Sequence, residues 1–391
     1  MQALSAPPPA KGRLATVKLA PGNVGQVEAA APKDSAAEKQ RALALLDSRK
    51  YTEAIALLQA LKKTNPTDLS VRISLVDAYF KAGLEREGVR ETQEALDCPA
   101  LSETTGLALA KVLVQDKQTE TAQIALEKLT VKWPDSAPGH AELGLLRSAK
   151  SQFEQATRQL GRAVQLEPDS ADYVQALAEV LLSWRHYSTA LDFVTAEEQR
   201  FGRLPNFEYC RAYSLYGLRR HGEALAILDK LVEQNPRFDR ALYLTGNCYA
   251  YFGDSQRAIA AFKKAVQLNP GNPAYYIALA EELRKNPATA EEAIASARKG
   301  LALDPSSPEA QIQLALCYET GKEYSQARSL LEAVTQEHPE LIPPHRILAR
   351  LYYRQGNPSE ADRERRITEK LEAEHLKPAP GGASPARSSA P

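Results

Sequence analysis

The 391-residue chain has no run of about 18 consecutive apolar residues, so no part of it reads as a transmembrane helix. It also lacks a charge excess of either sign: 49 basic residues face 49 acidic ones. A nucleic-acid binder carries a basic excess or a basic stripe, and this balance argues against one. The nearest basic stretch is Arg363, Arg365, Arg366 and Lys370. It is interleaved with Glu360, Asp362, Glu364 and Glu369, as a solvated helix face laced with ion pairs would be. Cysteine is scarce. Cys98, Cys210, Cys248 and Cys317 lie far apart with no CxxC spacing, which excludes a disulfide framework or a cysteine zinc site. Cys248 and Cys317 fall in apolar helical segments, where cysteine serves as a small core residue.

Catalytic spacings are missing too. The six histidines, His140, His186, His221, His338, His345 and His375, never fall at HxxxH or HExxH spacing. No GxSxG, GxxxxGK or GxGxxG sequence occurs. His186, beside Tyr187 at an expected helix–helix turn, is read as structural. These absences point to a chain that is not an enzyme and holds no metal or cofactor. The first 34 residues lack the apolar stretch of a secretory signal, which favours a cytoplasmic protein. Ala3-Leu4-Ser5-Ala6-Pro7 also suits the start of an already processed exported or periplasmic chain, and that alternative stays open.

What the chain has is a period. Pro66, Pro99, Pro134, Pro168, Pro236, Pro270, Pro305 and Pro339 are separated by 33, 35, 34, 68, 34, 35 and 34 residues, with Gly202 standing where one proline is skipped. Each interval holds two helical patterns. Between Asp239 and Pro270, the first carries Leu242, Gly246 and Tyr249 on one face. Gly253-Asp254 then breaks it. The second carries Ala258, Ile259, Phe262, Ala265 and Val266, and Asn269-Pro270 ends it, because proline cannot donate the next helical bond.

Three marks recur with the period. A small residue sits midway along the first helix, at Ala42, Ala110, Gly144, Ala178, Ala212, Gly246, Ala280, Ala315 and Ala349. A large one follows three places later, at Leu45, Leu113, Leu181, Leu215, Tyr249, Leu283, Tyr318 and Tyr352, with Arg147 departing from the pattern. An alanine opens the second helix, at Ala54, Ala122, Ala156, Ala190, Ala224, Ala258, Ala293, Ala327 and Ala361. Two helices approach closely only where side chains are small, and the large residue fills the groove alongside. The weakest copy has Val76 and Gly88 at the small positions. Another carries an extra residue near Asn286-Pro287-Ala288-Thr289, where Asn286 can cap a restarted helix. This pattern resembles the tetratricopeptide repeat and covers about residues 35 to 375. The resemblance implies an all-α, right-handed superhelical solenoid of about ten helix-turn-helix repeats.

The ends differ from the array. Residues 1–34 are rich in Ala, Pro and Gly and are expected to be disordered. Ser35 to Glu38 fits a capping box that starts the first helix. The repeat array is then expected over residues 35–376, its last charged helix, from Ser359 to about Leu376, acting as a polar cap. Residues 377–391 form a second disordered tail.

In such a solenoid the first helices line a concave groove suited to a peptide or a helix. Helical phase places Tyr209, Tyr213 and Tyr216 on that face of the sixth repeat, and Tyr243, Asn247 and Tyr251 on that of the seventh. Arg211, Ala212 and Leu215 turn to the core. Eight of the sixteen tyrosines lie between Tyr209 and Tyr276. Tyrosine offers a large contact area with few rotors, and Asn247 offers an amide. These residues are the candidate partner-binding set. The competing reading, that the tyrosines only pack between repeats, fits Tyr249 best and stays open for the others. A clamp for a C-terminal carboxylate is not supported, because Tyr243 occupies the place of its lysine and the next repeat offers Ile277 and Glu281. A basic corner of Arg284, Lys285, Arg346, Arg350 and Arg354 suits either an acidic partner or plain solvation. The leading function is a protein-interaction scaffold or adaptor with a protein or peptide partner. The alternatives are a self-assembling structural subunit, a cell-envelope assembly factor and, less favoured, an RNA-binding helical repeat.

Overall fold

The computed structural model describes residues 33–375, and they are all-α. The expectations placed on residues 1–32 and beyond 375 lie outside the described residues. Twenty α-helices follow one another in pairs. The first five pairs are α1 Lys33–Asp47 with α2 Tyr51–Thr64, α3 Leu69–Lys81 with α4 Glu85–Leu96, α5 Glu103–Gln115 with α6 Thr119–Lys132, α7 Ala137–Ala149 with α8 Phe153–Leu166, and α9 Ala171–Ser183 with α10 Tyr187–Phe201. Then come α11 Pro205–Gly217, α12 His221–Gln234, α13 Asp239–Tyr251, α14 Ser255–Leu268, α15 Pro273–Leu283 and α16 Ala290–Leu303. The last four are α17 Pro308–Thr320, α18 Tyr324–Glu337, α19 Ile342–Arg354 and α20 Pro358–His375.

The chain divides into two compact units at Gly217/Leu218. In the unit ending at Gly217, helices α1 to α10 pack on their pair partners, each pair packs on the next, and α11 packs on α10 and α9. The unit beginning at Leu218 repeats that order from α12 to α20.

Both kinds of connection have a local cause. Seven of the second helices stop at the residue before a proline, whose ring clashes with a helical backbone there. Asn65, Trp133, Glu167, Asn235, Asn269, Asp304 and His338 accordingly take φ between −125° and −137° with ψ between 66° and 86°. A short polar cap starts the next helix. Asp68 accepts from the backbone of Ser70 and Val71, Ser136 from Gly139, and Ser307 from Ala310.

The turn inside each pair is set by one left-handed residue. Arg49, Gly83, Lys117, Ser151, Arg185, Arg219 and Gly253 follow at intervals of 34, all at positive φ, and Lys322 and Gly356 continue the series. The next residue's N–H closes back on the large mark of the first helix, for example Lys50 to Leu45 at 2.9 Å, Asp254 to Tyr249 at 2.9 Å and Glu323 to Tyr318 at 2.8 Å. This closure satisfies carbonyls that a helix end would otherwise leave without partners. The eighth repeat is the exception. There Asn286 caps a single 3₁₀ turn, Pro287–Thr289, and the extra residue is absorbed before α16 begins.

The periodic small residues are core. Ala42, Ala178, Ala212, Ala280 and Ala315 are fully buried, as are the alanines from Ala54 to Ala327 that open the second helices. A Cβ on Gly144 would lie 3.2 Å from the Ala156 carbonyl, so α7 and α8 nearly touch backbone to backbone. In the weak second repeat, the ring of Phe80 takes the space beside Gly88.

The large mark adds a polar bond at fixed separation. Tyr249 donates to Asp229 at 2.8 Å, Tyr352 donates to Glu332 at 2.6 Å, and Tyr79 and Tyr318 accept from Gln59 and Arg298 at 2.8 and 3.1 Å. Each partner lies 20 residues upstream on the preceding second helix. Arg147 obeys the same geometry, pairing with Glu127 at 2.8 Å, so its departure from the pattern keeps the contact and changes only the chemistry.

Two sequence expectations shift slightly. Helix α1 starts at Lys33, two residues ahead of the Ser35–Glu38 box. The first N–H groups of any helix lack intrahelical partners, so its start slides at little cost. The ion pairs of α20 form mostly at i,i+3 rather than i,i+4, between Arg363 and Glu360 and between Arg365 and Asp362.

The left-handed turns give a direct test. Space around a Cβ at Gly253 is open, so Gly253→Ala carries only the conformational cost, about 1 kcal/mol. Lys117→Gly relieves that cost and is expected to stabilise by about 0.5 kcal/mol once the freer unfolded chain is counted. Denaturant midpoints should move in opposite directions. Equal midpoints for both variants and the parent would contradict this account of the turn.

Candidate partner-binding faces

The face expected to meet a partner is built from first-helix residues not spent on the second helices. The structure distributes the six sequence candidates between the two units, three in each.

In the first unit, Tyr209, Tyr213 and Tyr216 lie on α11. Tyr209 is buried, 6% exposed, with its ring centroid 6.1 Å from that of Tyr213. Its ring is therefore spent on packing, and the contact line expected along α11 loses its first member. Tyr213 and Tyr216 are half-buried. Tyr213 is also 6.4 Å from Tyr187, a neighbour that sequence phase did not bring to this cluster. Arg211, expected to face the core, is half-buried and pairs with the buried Glu198 carboxylate at 3.0 Å.

In the second unit, Tyr243, Asn247 and Tyr251 lie along α13. Tyr243 is half-buried between Tyr275 and Phe262, at centroid distances of 4.9 and 5.8 Å. Tyr251 is 47% exposed and Phe252, next to it, 54%. Their rings meet edge to face at 5.3 Å, and the other side of Tyr251 lies on the buried His221 ring at 3.8 Å. Phe252 was missed in the sequence because it caps the helix beyond the counted phase, although its place before the Gly253 turn marked it as an end residue. The Asn247 Nδ2 is buried with no hydrogen-bond partner among the described residues. Tyr249 packs as expected, its hydroxyl on Asp229 and the Arg257 guanidinium 4.6 Å from its ring centre.

The basic corner is consumed internally. Arg350 and Arg354 both pair with the buried Glu319, Lys285 with Glu282, Arg346 with Glu372, and Arg284 stands 4.0 Å from Glu281. Little of this charge is left to recognise an acidic segment.

All four cysteines are buried thiols, and burial pushes Cys248 and Cys317 up to about 12. His186 stacks on Trp184 with ring centroids 4.0 Å apart. Among the described residues, no three His, Cys, Asp or Glu side chains gather as a metal site, and no helix is long and apolar enough to cross a membrane.

One titrating pair stands out in the first unit. Asp77 of α3 is held by Lys81 at 2.6 Å and faces Asp116, the C-cap of α5. Burial, and then the neighbouring Asp77 charge, push the Asp116 carboxyl up to about 6.

Two stretches of the chain, residues 209–273 and 289–346, match family models of the tetratricopeptide repeat. Among solved structures, MamA from Desulfovibrio magneticus RS-1, from its residue 41 to the end, is 22% identical over 44% of this chain and 97% of that one, with a TM-score of 0.40. Human IFIT1, as a dimer with m7Gppp-AAAA, is 15% identical over 87% of this chain and 90% of its own, with a TM-score of 0.49. A tetratricopeptide repeat protein from Parabacteroides merdae ATCC 43184 is 15% identical over 64% of this chain and 99% of that one, at 0.48. No curated protein matches the chain.

The Asp116 pair predicts a pH effect of definite sign. An unfolded aspartate titrates near about 3.9. The folded group at about 6 keeps its proton longer, so its stability penalty is absent in acid, grows between those two values and is constant above them. Asp116→Asn should therefore stabilise by about 1 kcal/mol at pH 8, after allowance for partial solvent screening, and by much less at pH 4. Urea midpoints at the two pH values check this, and a gain of equal size at both would contradict it.

Proposed function

Because this chain is a tetratricopeptide-repeat protein, we propose that it works as a scaffold or adaptor, holding an extended or helical segment of another protein against its first helices. The observation that carries this reading is the exposed aromatic pair at the end of α13. Tyr251 and Phe252 are 47% and 54% exposed, whereas every other phenylalanine and every other tyrosine but Tyr353 among the described residues is buried or half-buried. Rigid aromatic rings on a preorganised helix give contact area at a low entropic cost. Asn247, one turn earlier on the same helix, brings an amide suited to a peptide backbone.

The chemistry of the partner follows from what is already used. The arginines of the basic corner are occupied by the protein's own carboxylates, so recognition rests on shape and neutral hydrogen bonds. Affinity should accordingly change little between about 0.05 and 0.3 M salt. A second reading is self-association, favoured by Ile124 and Val131, which share one exposed face of α6 at 54% and 82% exposure. Light scattering across a concentration series separates it from a monomeric adaptor.

Comparative affinity capture with quantitative mass spectrometry tests the leading reading. Tyr251→Ser should reduce recovery of the specific partner about tenfold or more, as loss of a buried aromatic anchor does, while the thermal transition is retained. An unchanged partner profile with Tyr251→Ser would remove α13 from the binding face.

A further inference from the structure

The fourth residue of several first helices makes the same two-sided contact. Arg72, fourth in α3, donates from Nε to the Pro66 carbonyl at 2.8 Å and from Nη1 to Glu91 at 2.7 Å. His140, fourth in α7, places Nε2 2.9 Å from the Pro134 carbonyl and Nδ1 2.6 Å from Gln159 Oε1. His345, fourth in α19, places Nε2 3.2 Å from the Pro339 carbonyl and Nδ1 2.6 Å from Glu364 Oε2. In each case the side chain clips the proline loop behind it to its own second helix.

The three clips differ in their count of hydrogens. Arginine has donors for both acceptors at any pH. A neutral His140 also suffices, because the Gln159 amide can turn to offer its N–H to Nδ1. His345 faces an acceptor on each side, and a carboxylate has no hydrogen to offer. Both bonds form together only when the pair holds one extra proton, either on the ring or on Glu364. The pair is largely covered, with His345 4% exposed and the Glu364 side chain 12%.

The charges around the ring leave this proton essential. From α20, Glu360 is engaged by Arg363 and Glu364 has no Lys or Arg in ion-pair range among the described residues. From the end of α18 and the loop after it, His338 faces Glu340 at 3.6 Å, and Glu332 takes the hydroxyl of Tyr352. On α19 itself, Arg346 is paired with Glu372. Few side chains of helix α20 are fully buried, only Ala361 and Thr368 along its 18 residues, with Ile367 and Leu371 half-buried.

We propose that His345 and Glu364 form a proton-operated latch that holds the terminal helix α20 on α19 and releases it as pH rises. The sign follows from linkage. The docked pair needs one proton more than its two acceptors leave available, so docking is favoured in acid and weakens as pH rises.

Amide hydrogen exchange of residues 358–375, corrected for intrinsic rates at each pH, reads the latch in the full chain. Between pH 6 and pH 8.5 the protection of α20 should fall about tenfold or more while that of α14 holds. Glu364→Gln, which recreates the His140–Gln159 clip, should abolish the pH dependence. His345→Arg, which recreates the Arg72–Glu91 clip, should keep α20 protected at both pH values. Protection of α20 that is the same at both pH values in the parent would overturn the latch, as would a full fall persisting in Glu364→Gln. If Glu364→Gln undocks α20 at every pH, the arginine variant decides: protection retained at pH 8.5 supports the latch, and a fall as steep as the parent's overturns it.

Discussion

The approach of two helices at a pair of small residues is the constraint from which the rest of this architecture follows. Where Gly144 meets α8, an added Cβ would lie 3.2 Å from the Ala156 carbonyl and 2.7 Å from the Leu160 side chain. The buried alanines at the matching places in other repeats show the same economy, Ala42 with Ala54 and Ala280 with Ala293 among them. Once a pair is drawn this close, its large residues are left to meet the pair before it. A helix pair of this kind cannot bury its apolar surface alone, so stability comes from stacking.

Polar chemistry then makes the stacking specific. Where the large mark is polar, its bond to the residue 20 places upstream ties one repeat to the one before it, as Tyr249 does with Asp229 and Arg147 with Glu127. The clips made by Arg72, His140 and His345 tie the proline loop to the helix pair that follows. Buried polar groups left without partners are costly, so these bonds penalise any other register of stacking. The binding face proposed for this chain is what this scheme leaves over, namely first-helix side chains needed by neither the pair contact nor the stacking bonds.

Much of this was legible in the sequence. Proline spacing and small-residue marks located the helix pairs because both report steric exclusions that depend on residue type and little else. The turns were less legible. Gly83, Gly253 and Gly356 advertise a left-handed residue, whereas Arg49, Lys117 and Lys322 adopt the same conformation without any signal in their chemistry. Helical phase put Tyr209 and Tyr213 on one face, but phase says nothing of how deeply a neighbouring helix covers that face, and Tyr209 is buried. The basic corner looked like free charge because its carboxylates come from other helices, Glu319 for Arg350 and Glu372 for Arg346. Each miss concerns a contact between elements, which one element's periodicity does not encode.

The primacy of the small-residue contact is open to a matched comparison on one helix. Ala258 is fully buried at the pair contact of α14, and Ala260, two residues on, is exposed. Replacing each by leucine makes the same chemical change in the same helix. Chemical denaturation with hydrogen exchange should show Ala258→Leu losing about 1–3 kcal/mol, the cost of overpacking, with protection lost first in α13 and α14. Ala260→Leu should stay within about 0.5 kcal/mol of the parent. Equal effects of the two substitutions would contradict the claim that close approach at the small residues governs the fold.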